Sequence, residues 1–543
     1  MRPEILDGEL GGSQLARAAI AGDHPAAADW YQTRPATPAE WTARAREVRL
    51  RFSGNDWLSR LSGAIDASGP AAERLERVAS AGGVLITTGQ QPGLFGGPIY
   101  TWVKALSALA FADELEHATG IPAAPLFWAA TDDADYAEAS GTWVSTREGA
   151  RQLSLPDTDT RGRTMAELKL PPHIGRLAGE LRMACGSIAD PAPLAAVEGA
   201  WREGVTIGDA YLRMLRELLQ PLGIPVIDAS HRSLRMEMEP LMRRALERAG
   251  EIGEALDARD QELSAAGFRP QVALVKDLSL VFENHATGKD RVPIQSAAKR
   301  ARIAKPGSLG PNVLLRPVAE QALLPTVAYA AGPGEIAYFA QVSAVAEVLG
   351  EPVPLALPRY SVTLVEPHVR GTLQALGLEP DDLLDPHAPE RRLAREAVST
   401  ELAAALEELR EAVRERMLRL GRIAAGTTPD GNGVPPEAVF QGAWRQLEHR
   451  LDRLERRVAA AAARGDGRTG AALAMVRGSL VPGGTRQERA LNIVPLLARY
   501  GSALLGDIRE AARPHARRCM GLQGPHARDE RTVATGSVAG EIA

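Results

Sequence analysis

Apolar residues gather first in an unbroken run, Gly83-Val84-Leu85-Ile86-Thr87-Thr88, and again in Pro125-Leu126-Phe127-Trp128-Ala129-Ala130. Short runs without polar alternation predict strands buried on both faces. Between them Gly89-Gln90-Gln91-Pro92-Gly93-Leu94-Phe95-Gly96-Gly97-Pro98 reads as a turn, and a helix is predicted from Ile99 through Lys104. The pattern returns downstream. A helix near 210–219 leads into Gly223-Ile224-Pro225-Val226-Ile227-Asp228, and Leu324-Pro325-Thr326-Val327-Ala328-Tyr329 enters a small-residue turn, 331–335, then a helix over 336–349. Val353 to Arg359 reads as a last strand. Strands alternating with helices at these lengths predict an α/β fold with a parallel sheet covered on both faces. Ligands in such sheets sit beyond the carboxyl ends of the strands. The turns after Thr88, Ala130, Asp228 and Tyr329 are therefore expected to face one cleft.

The flanking segments differ. Residues 1–80 read as helices packing on the core through Trp30, Trp41 and Trp57, and the core itself as 81–388. Two insertions are expected within it. One, about 141–205, carries a hairpin of Gly141–Val144 and Gln152–Leu155; after helical 234–266, a second, about 265–310, is β-rich through Val272–Val275, Leu278–Phe282, a turn over 284–289, and Arg291–Ile294. Core character resumes at Val313-Leu314-Leu315-Arg316-Pro317. In 389–464 the run Leu406, Leu409, Val413, Leu420, Ile423 advances by alternating three- and four-residue steps, with Arg416 at the one broken position. A break at 426–433 precedes Phe440, Trp444, Leu447, Leu451, Leu454, Val458 and Ala461. Apolar steps averaging about 3.5 residues specify a supercoiled seam, here an antiparallel coiled-coil hairpin whose arms would project about 45 Å. An ordinary helical subdomain is the alternative. Residues 465–521 return to the core, and 522–543 form a loose polar tail.

Composition narrows the function classes. A net charge of −5 and a pI of about 6.1 supply no global basic field for nucleic acid or anionic lipid. Cys185 and Cys519 lie far apart and outside metal-ligand spacing, as expected of thiols in a reducing cytoplasm. The first residues carry no basic-then-apolar signal and no long apolar run occurs, so a soluble cytoplasmic protein is expected. Four glycines between Gly89 and Gly97, just before a helix, would let backbone approach a nucleotide, another phosphate or a carboxylate. The segment matches neither G-x-G-x-x-G nor the Walker loop, and a tight turn without ligand is the alternative.

Three segments together resemble the bacillithiol biosynthesis cysteine-adding enzyme family. They are Thr88 through Thr101 with Lys104; Arg316-Pro317 followed by Leu324–Tyr329, Gly332–Gln341 and Pro358-Arg359-Tyr360-Ser361; and Gln487-Glu488-Arg489 with Asn492 and Tyr500-Gly501. The resemblance covers about residues 80–505. It implies a Rossmann-like nucleotide-binding core, connecting insertions and a coiled coil that pairs two subunits. The implied activity is an ATP-dependent ligase joining cysteine to the amino group of glucosaminyl-malate. One departure stands out. The family pattern Asp-His-Asp-Phe, then Asn-His, meets here Asp132-Asp133-Ala134-Asp135-Tyr136-Ala137-Glu138-Ala139-Ser140, with Ala134 and Ser140 at the histidine positions. A nucleotide-binding scaffold or sensor, or a nucleotidyl transferase acting on another small carboxylate, are the alternatives this departure keeps open.

Amide ligation requires an activated carboxylate, stabilised phosphoryl charge and removal of a proton from the amine. Within the resemblance, Gly89, Gln90, Gln91, Gly93, Gly96, Gly97, Arg359 and Ser361 are expected to hold ATP, or its ADP or AMP product. Asp132, Asp133 and Asp135 are expected to hold Mg²⁺ or an ammonium group, with Lys104 and Glu335 completing the catalytic set; a solvated acidic turn and a helix-capping Glu335 are the plainer readings. Tyr338, Gln341, Arg316, Arg486 and Arg489 are assigned to substrate, each arginine having a structural alternative. His117, His231, His285 and His526 show no ligand spacing.

Overall fold

The structure is a computed structural model that describes residues 2–22, 27–285, 288–389, 392, 400–425, 443–444, 446–448, 450–451, 454 and 467–522. Five parallel strands form its central sheet. In chain order the strands are β1 (Val84–Gln90), β2 (Ala123–Ala129), β3 (Val226–Asp228), then β4 (Leu278–His285), β5 (Gly288–Pro293) and β6 (Leu309–Pro311) of a separate sheet, and β7 (Thr326–Ala331) and β8 (Ala356–Pro358). The parallel sheet runs β8-β7-β1-β2-β3. β1 is central, pairing Val84–Gln90 with Ala123–Ala129 on one side and Thr87 with Tyr329 on the other. From β1 the chain builds outward to β2 and β3, then crosses back to add β7 and β8. The strand order reverses between β1 and β7, and doubly wound sheets open their ligand crevice at such a point.

The Ile99–Thr119 helix lies against this sheet and is apolar nearly all round, as a fully covered helix must be. It ends at Gly120 in the left-handed conformation, whose N–H bonds Glu116 O. Its Glu114 is buried and accepts from Arg513 Nε at 2.7 Å and Arg517 Nε at 2.8 Å, tying it to the Ala503–Cys519 helix. Trp30, Trp41 and Trp57 are all buried, as the N-terminal reading requires, although that region also holds a short strand, Glu4–Asp7.

One expected strand fails for an identifiable reason. Val272–Val275 joins no ladder; Gln341 instead brackets Val272, accepting from its N–H and donating to its carbonyl. Core character does resume at 313–317, where Leu314 and Leu315 are buried and donate their amides to Asn312 Oδ1 ahead of the Arg316–Leu323 helix. The second insertion is an antiparallel sheet, β5-β4-β6.

The chain divides into two compact units. The larger comprises Ile5–Val144, Gln152–Leu364 and Glu488–Ala543; the smaller comprises Met1–Glu4, Ser145–Arg151 and Val365–Gln487. The smaller contains the 26-residue Thr400–Ala425 helix, which carries the whole first apolar run and exposes Leu409 (43%), Leu420 (48%) and Ile423 (55%). Of the second run, Trp444, Leu447, Leu451 and Leu454 are helical, whereas Phe440, Val458, Ala461, the break at 426–433 and nearly all of the expected tail lie outside the described residues. Among the described residues no helix is long and apolar enough to cross a membrane.

Replacing Glu114 by Gln leaves two arginines facing a neutral amide. We expect a loss of about 2 kcal/mol in urea-monitored stability, with no change in ligand binding at the remote crevice.

Candidate functional site

A cleft of about 620 Å³ opens at the reversal between β1 and β7. The turn after β1 supplies Gly89, Gln90 and Gln91; the turn after β2 supplies Ala130 and 132–135; the turn after β7 supplies 332–335. The turn after β3 is not part of the wall. Asp228 there accepts from Thr131 Oγ1 and from Ser230, and so braces the β2 turn from behind. Three of the four expected turns thus converge.

A buried ion pair crosses the floor. Lys104 Nζ lies 2.7 Å from Glu335 Oε2 and also donates to Gly89 O and, at 3.1 Å, to Gln90 Oε1. Burial lowers the Lys104 pKa, and Glu335 opposes that shift. For Glu335 burial works upward, yet Lys104, the Tyr329 hydroxyl and Arg316 hold its carboxyl below the usual range. Glu335 accepts from Gly332 N at 2.7 Å and Tyr329 OH at 2.6 Å, so it caps the Pro333–Leu349 helix. The capping contact of the plainer reading is thus observed, and the pair also lines the cleft.

The glycine turn is held largely by its own contacts and by Asn492. Gly96 adopts φ +87°, and a Cβ there would meet Trp102 at 2.7 Å, so no other residue fits. Its N–H donates to Gly93 O and that of Gly97 to Leu94 O, while Asn492 Nδ2 donates to Leu94 O, Phe95 O and Gly97 O. The Gly96 and Gly97 amides are thus used within the turn, and Gly93, Gly96 and Gly97 do not line the cleft. Only Gly89 of the four does, and its missing Cβ lets β1 approach Trp128 O of β2.

The acidic turn splits by role. Asp133 accepts from the Ala134 and Asp135 amides and from Gln91 Nε2; Asp135 accepts from Glu138 N at 3.1 Å. Both build the turn. Asp132 lines the cleft, and burial raises its carboxyl pKa, with Lys289 opposing and Asp133 reinforcing the shift. Among the described residues no group of three or more His, Cys, Asp or Glu side chains is placed to hold a metal ion, so the expected three-aspartate site is not formed.

The basic residues also divide. Arg316 lines the cleft, pairs with Glu320 at 2.8 Å and stacks on Tyr329, with Tyr338 OH at 3.4 Å. Arg489 is exposed on the rim, over the Tyr100 ring. Arg359 is fully buried and bidentate to Glu488, at 2.6 and 3.0 Å. Ser361 donates to the same Glu488 and lies outside the wall, as does Gln341, which bonds Asp260 and Val272. Arg486 is likewise not a lining residue. The Ser361 and Gln341 side chains are engaged by Glu488 and by Asp260 and Val272 behind the wall, and each is a buried brace.

Sequence reasoning overlooked Lys289 and Arg291. Two residues apart on β5, they share a face and point into the cleft around Phe282, where Lys289 Nζ lies 4.8 Å from the ring centroid and also donates to Asp132 O. The Lys-x-Arg spacing beside a turn was the available signal. Tyr100, one residue into the predicted helix, also faces the cleft.

Comparison with known proteins agrees with this architecture. Residues 11–360 match the family described as "Bacillithiol biosynthesis BshC, N-terminal Rossmann-like domain", and residues 362–520 match "Bacillithiol biosynthesis BshC, C-terminal coiled-coil domain". A protein of Solibacter usitatus is 33% identical over 454 residues, covering 81% of this chain and 84% of its own length. One from Koribacter versatilis is 31% identical (84% and 86% covered), and one from Salinibacter ruber 30% identical (90% and 93%). Each is named "Putative cysteine ligase BshC".

Lys104→Met leaves the Glu335 carboxylate buried without its cation, and we expect a loss of about 3–5 kcal/mol in chemical denaturation. Arg489→Ala, on the exposed rim, should leave stability within about 0.5 kcal/mol of the parent. The comparison of the two midpoints checks the division between floor and rim.

Proposed function

The chain belongs to the bacillithiol biosynthesis BshC family, and from this premise we propose that it is an ATP-dependent ligase joining the carboxyl group of cysteine to the amino group of glucosaminyl-malate. One observation carries the reading: Lys289, Arg291 and Arg489 converge on the switch-point crevice, and among the described residues none of them makes an ion pair. Three cations without a direct ion pair suit a polyphosphate, and the rings of Tyr100, Trp128 and Phe282 offer apolar walls beside them. The residues therefore fit ATP, which when bound would supply the leaving group that makes a carboxylate reactive toward an amine.

In this reading Lys289, Arg291 and Arg489 hold phosphate oxygens, and Arg316 with Tyr338 orients the acyl donor. Asp132 takes the proton of the attacking amine. It lines the cleft, and burial, outweighing a hydrogen bond from its own amide, equips it to bind a proton more readily than a free aspartate does. A Mg²⁺ ion brought in with the phosphates needs only one or two protein carboxylates, and Asp133 and Asp135 stand beside that path. Pairing of two subunits through the Thr400–Ala425 helix belongs to the same proposal, supported by its exposed leucines, as does a cytoplasmic location, supported by two unpaired thiols.

A nucleotide-binding protein without ligase activity is the second reading. It is favoured by the absence of any histidine among the described residues of the wall, consistent with Ala134 and Ser140 in the acidic turn. Incubation with ATP, cysteine and glucosaminyl-malate separates the two: mass spectrometry should find the amide-linked thiol, and its absence with nucleotide still bound would select the second. A raised carboxyl pKa means that the basic form accumulates only as pH climbs past that value. The rate of the wild type should accordingly rise with pH through a limb lying above the ordinary aspartate range. Asp132→Asn should lose that limb and lower kcat by about 10²–10⁴-fold.

A further inference from the structure

Arg359 presents an unexplained donor. Both terminal nitrogens are engaged by Glu488, and Nη1 also donates to Tyr360 O, but Nε is buried with no hydrogen-bond partner. A buried guanidinium N–H left unpaired is costly and rare in folded proteins. Its position is informative. Arg359 lines the cleft, and Nε lies 3.8 Å from the point where a side chain at Gly332 would begin. Gly332 precedes the first turn of the 17-residue Pro333–Leu349 helix, where Pro333 has no N–H and a Cβ at Gly334 would meet nothing within 4 Å. An orphan donor and a missing side chain thus bound one small space beside a helix N-terminus whose Gly332 N–H is already held by Glu335.

We propose that this space is a second anion subsite, separate from the Lys289, Arg291 and Arg489 cluster, and that it takes a single carboxylate oxygen from a substrate, resting on the reading of the cleft as a ligase centre. Charge distinguishes the two. Around Gly332 every cation already has its carboxylate: Lys104 pairs with Glu335, Arg316 with Glu320 and Arg359 with Glu488. The surroundings are balanced, so only the helix dipole and one N–H remain to attract charge. Such a place suits a monoanion. A triphosphate is better served by the unpaired cations across the cleft. Occupation would complete the hydrogen bonding of Arg359 and set the carboxylate beside the capped helix. The carboxylate comes either from the amino acid or from the dicarboxylate arm of the amino-sugar partner.

Titration calorimetry on the full chain with L-cysteine, L-malate and ADP as separate probes tests this. Arg359→Lys removes Nε but endangers the buried pair with Glu488, so Gly332→Ala is the decisive variant. Gly332 has φ −77°, which alanine adopts freely, and the added methyl would meet Glu335 Oε2 at 3.4 Å and Arg359 Nε at 3.8 Å, ordinary contacts that leave the fold intact while crowding the bound oxygen. We expect Gly332→Ala to weaken one carboxylate probe by roughly tenfold or more and to leave ADP within about twofold. Loss for L-cysteine assigns the subsite to the amino acid; loss for L-malate assigns it to the dicarboxylate arm. Unchanged binding of both carboxylates, no carboxylate binding by the wild type, or an equal loss for ADP overturns the proposal. If the wild type forms no amide product yet shows the Gly332-dependent carboxylate binding, the ligase reading fails and the subsite stands.

Discussion

The crevice exists because one lysine reaches across it. Lys104 leaves the helix that follows β1 and meets Glu335, which opens the helix following β7, at 2.7 Å in a buried setting. Burying both charges costs solvation that their attraction barely offsets, so the pair is poor as a source of stability. Its effect is geometric. The same ammonium holds Gly89 O and Gln90, and the same carboxylate holds Gly332 N and Tyr329 OH. Two turns that are more than 200 residues apart in the chain are locked to one ion pair, on either side of the point where the sheet reverses.

That lock redistributes the work of holding a ligand. In many doubly wound sheets a glycine-rich turn offers backbone N–H groups to a phosphate. Here Asn492 and the turn itself satisfy the glycine segment, and Glu335 takes the Gly332 amide. The backbone donors are largely used up, so charge must come from side chains delivered by other elements. The β4–β5 hairpin supplies Lys289 and Arg291, and the C-terminal return supplies Arg489. The insertion is therefore part of the cleft wall, with its two cations aligned by the alternation of a strand.

How legible this was depended on the kind of signal. The five core strands, the helix at Ile99 and the shared crevice followed from apolar runs and the rule for parallel sheets, since burial on both faces leaves a plain mark in sequence. The resemblance on Thr88–Thr101 and Arg316–Ser361 named the right family. Individual roles were less readable. Gly93, Gly96 and Gly97 looked like a cradle because sequence does not reveal that Asn492, some 400 residues away, holds the turn through the Leu94, Phe95 and Gly97 carbonyls. Ser361 and Gln341 lay in the right motifs but face braces behind the wall. Lys289 and Arg291 were missed because their hairpin was read as a peripheral insertion, and only tertiary folding brings it over Asp132.

Two carboxylates in one cleft end with opposite proton affinities. Glu335 receives a lysine, a tyrosine hydroxyl and a backbone N–H, and stays ionised below the usual range. Asp132 is desolvated with only partial help from Lys289 and with Asp133 pushing the same way as burial, and its proton is held more tightly. When environments drive neighbouring acids apart in this way, the ionised one is fixed as a structural charge and the other is left to exchange protons. A turn with Ala134 and Ser140 has no imidazole to share that task. The proposed acid–base role therefore rests on an aspartate whose basicity comes from its surroundings, with its carbonyl tied to the hairpin by Lys289.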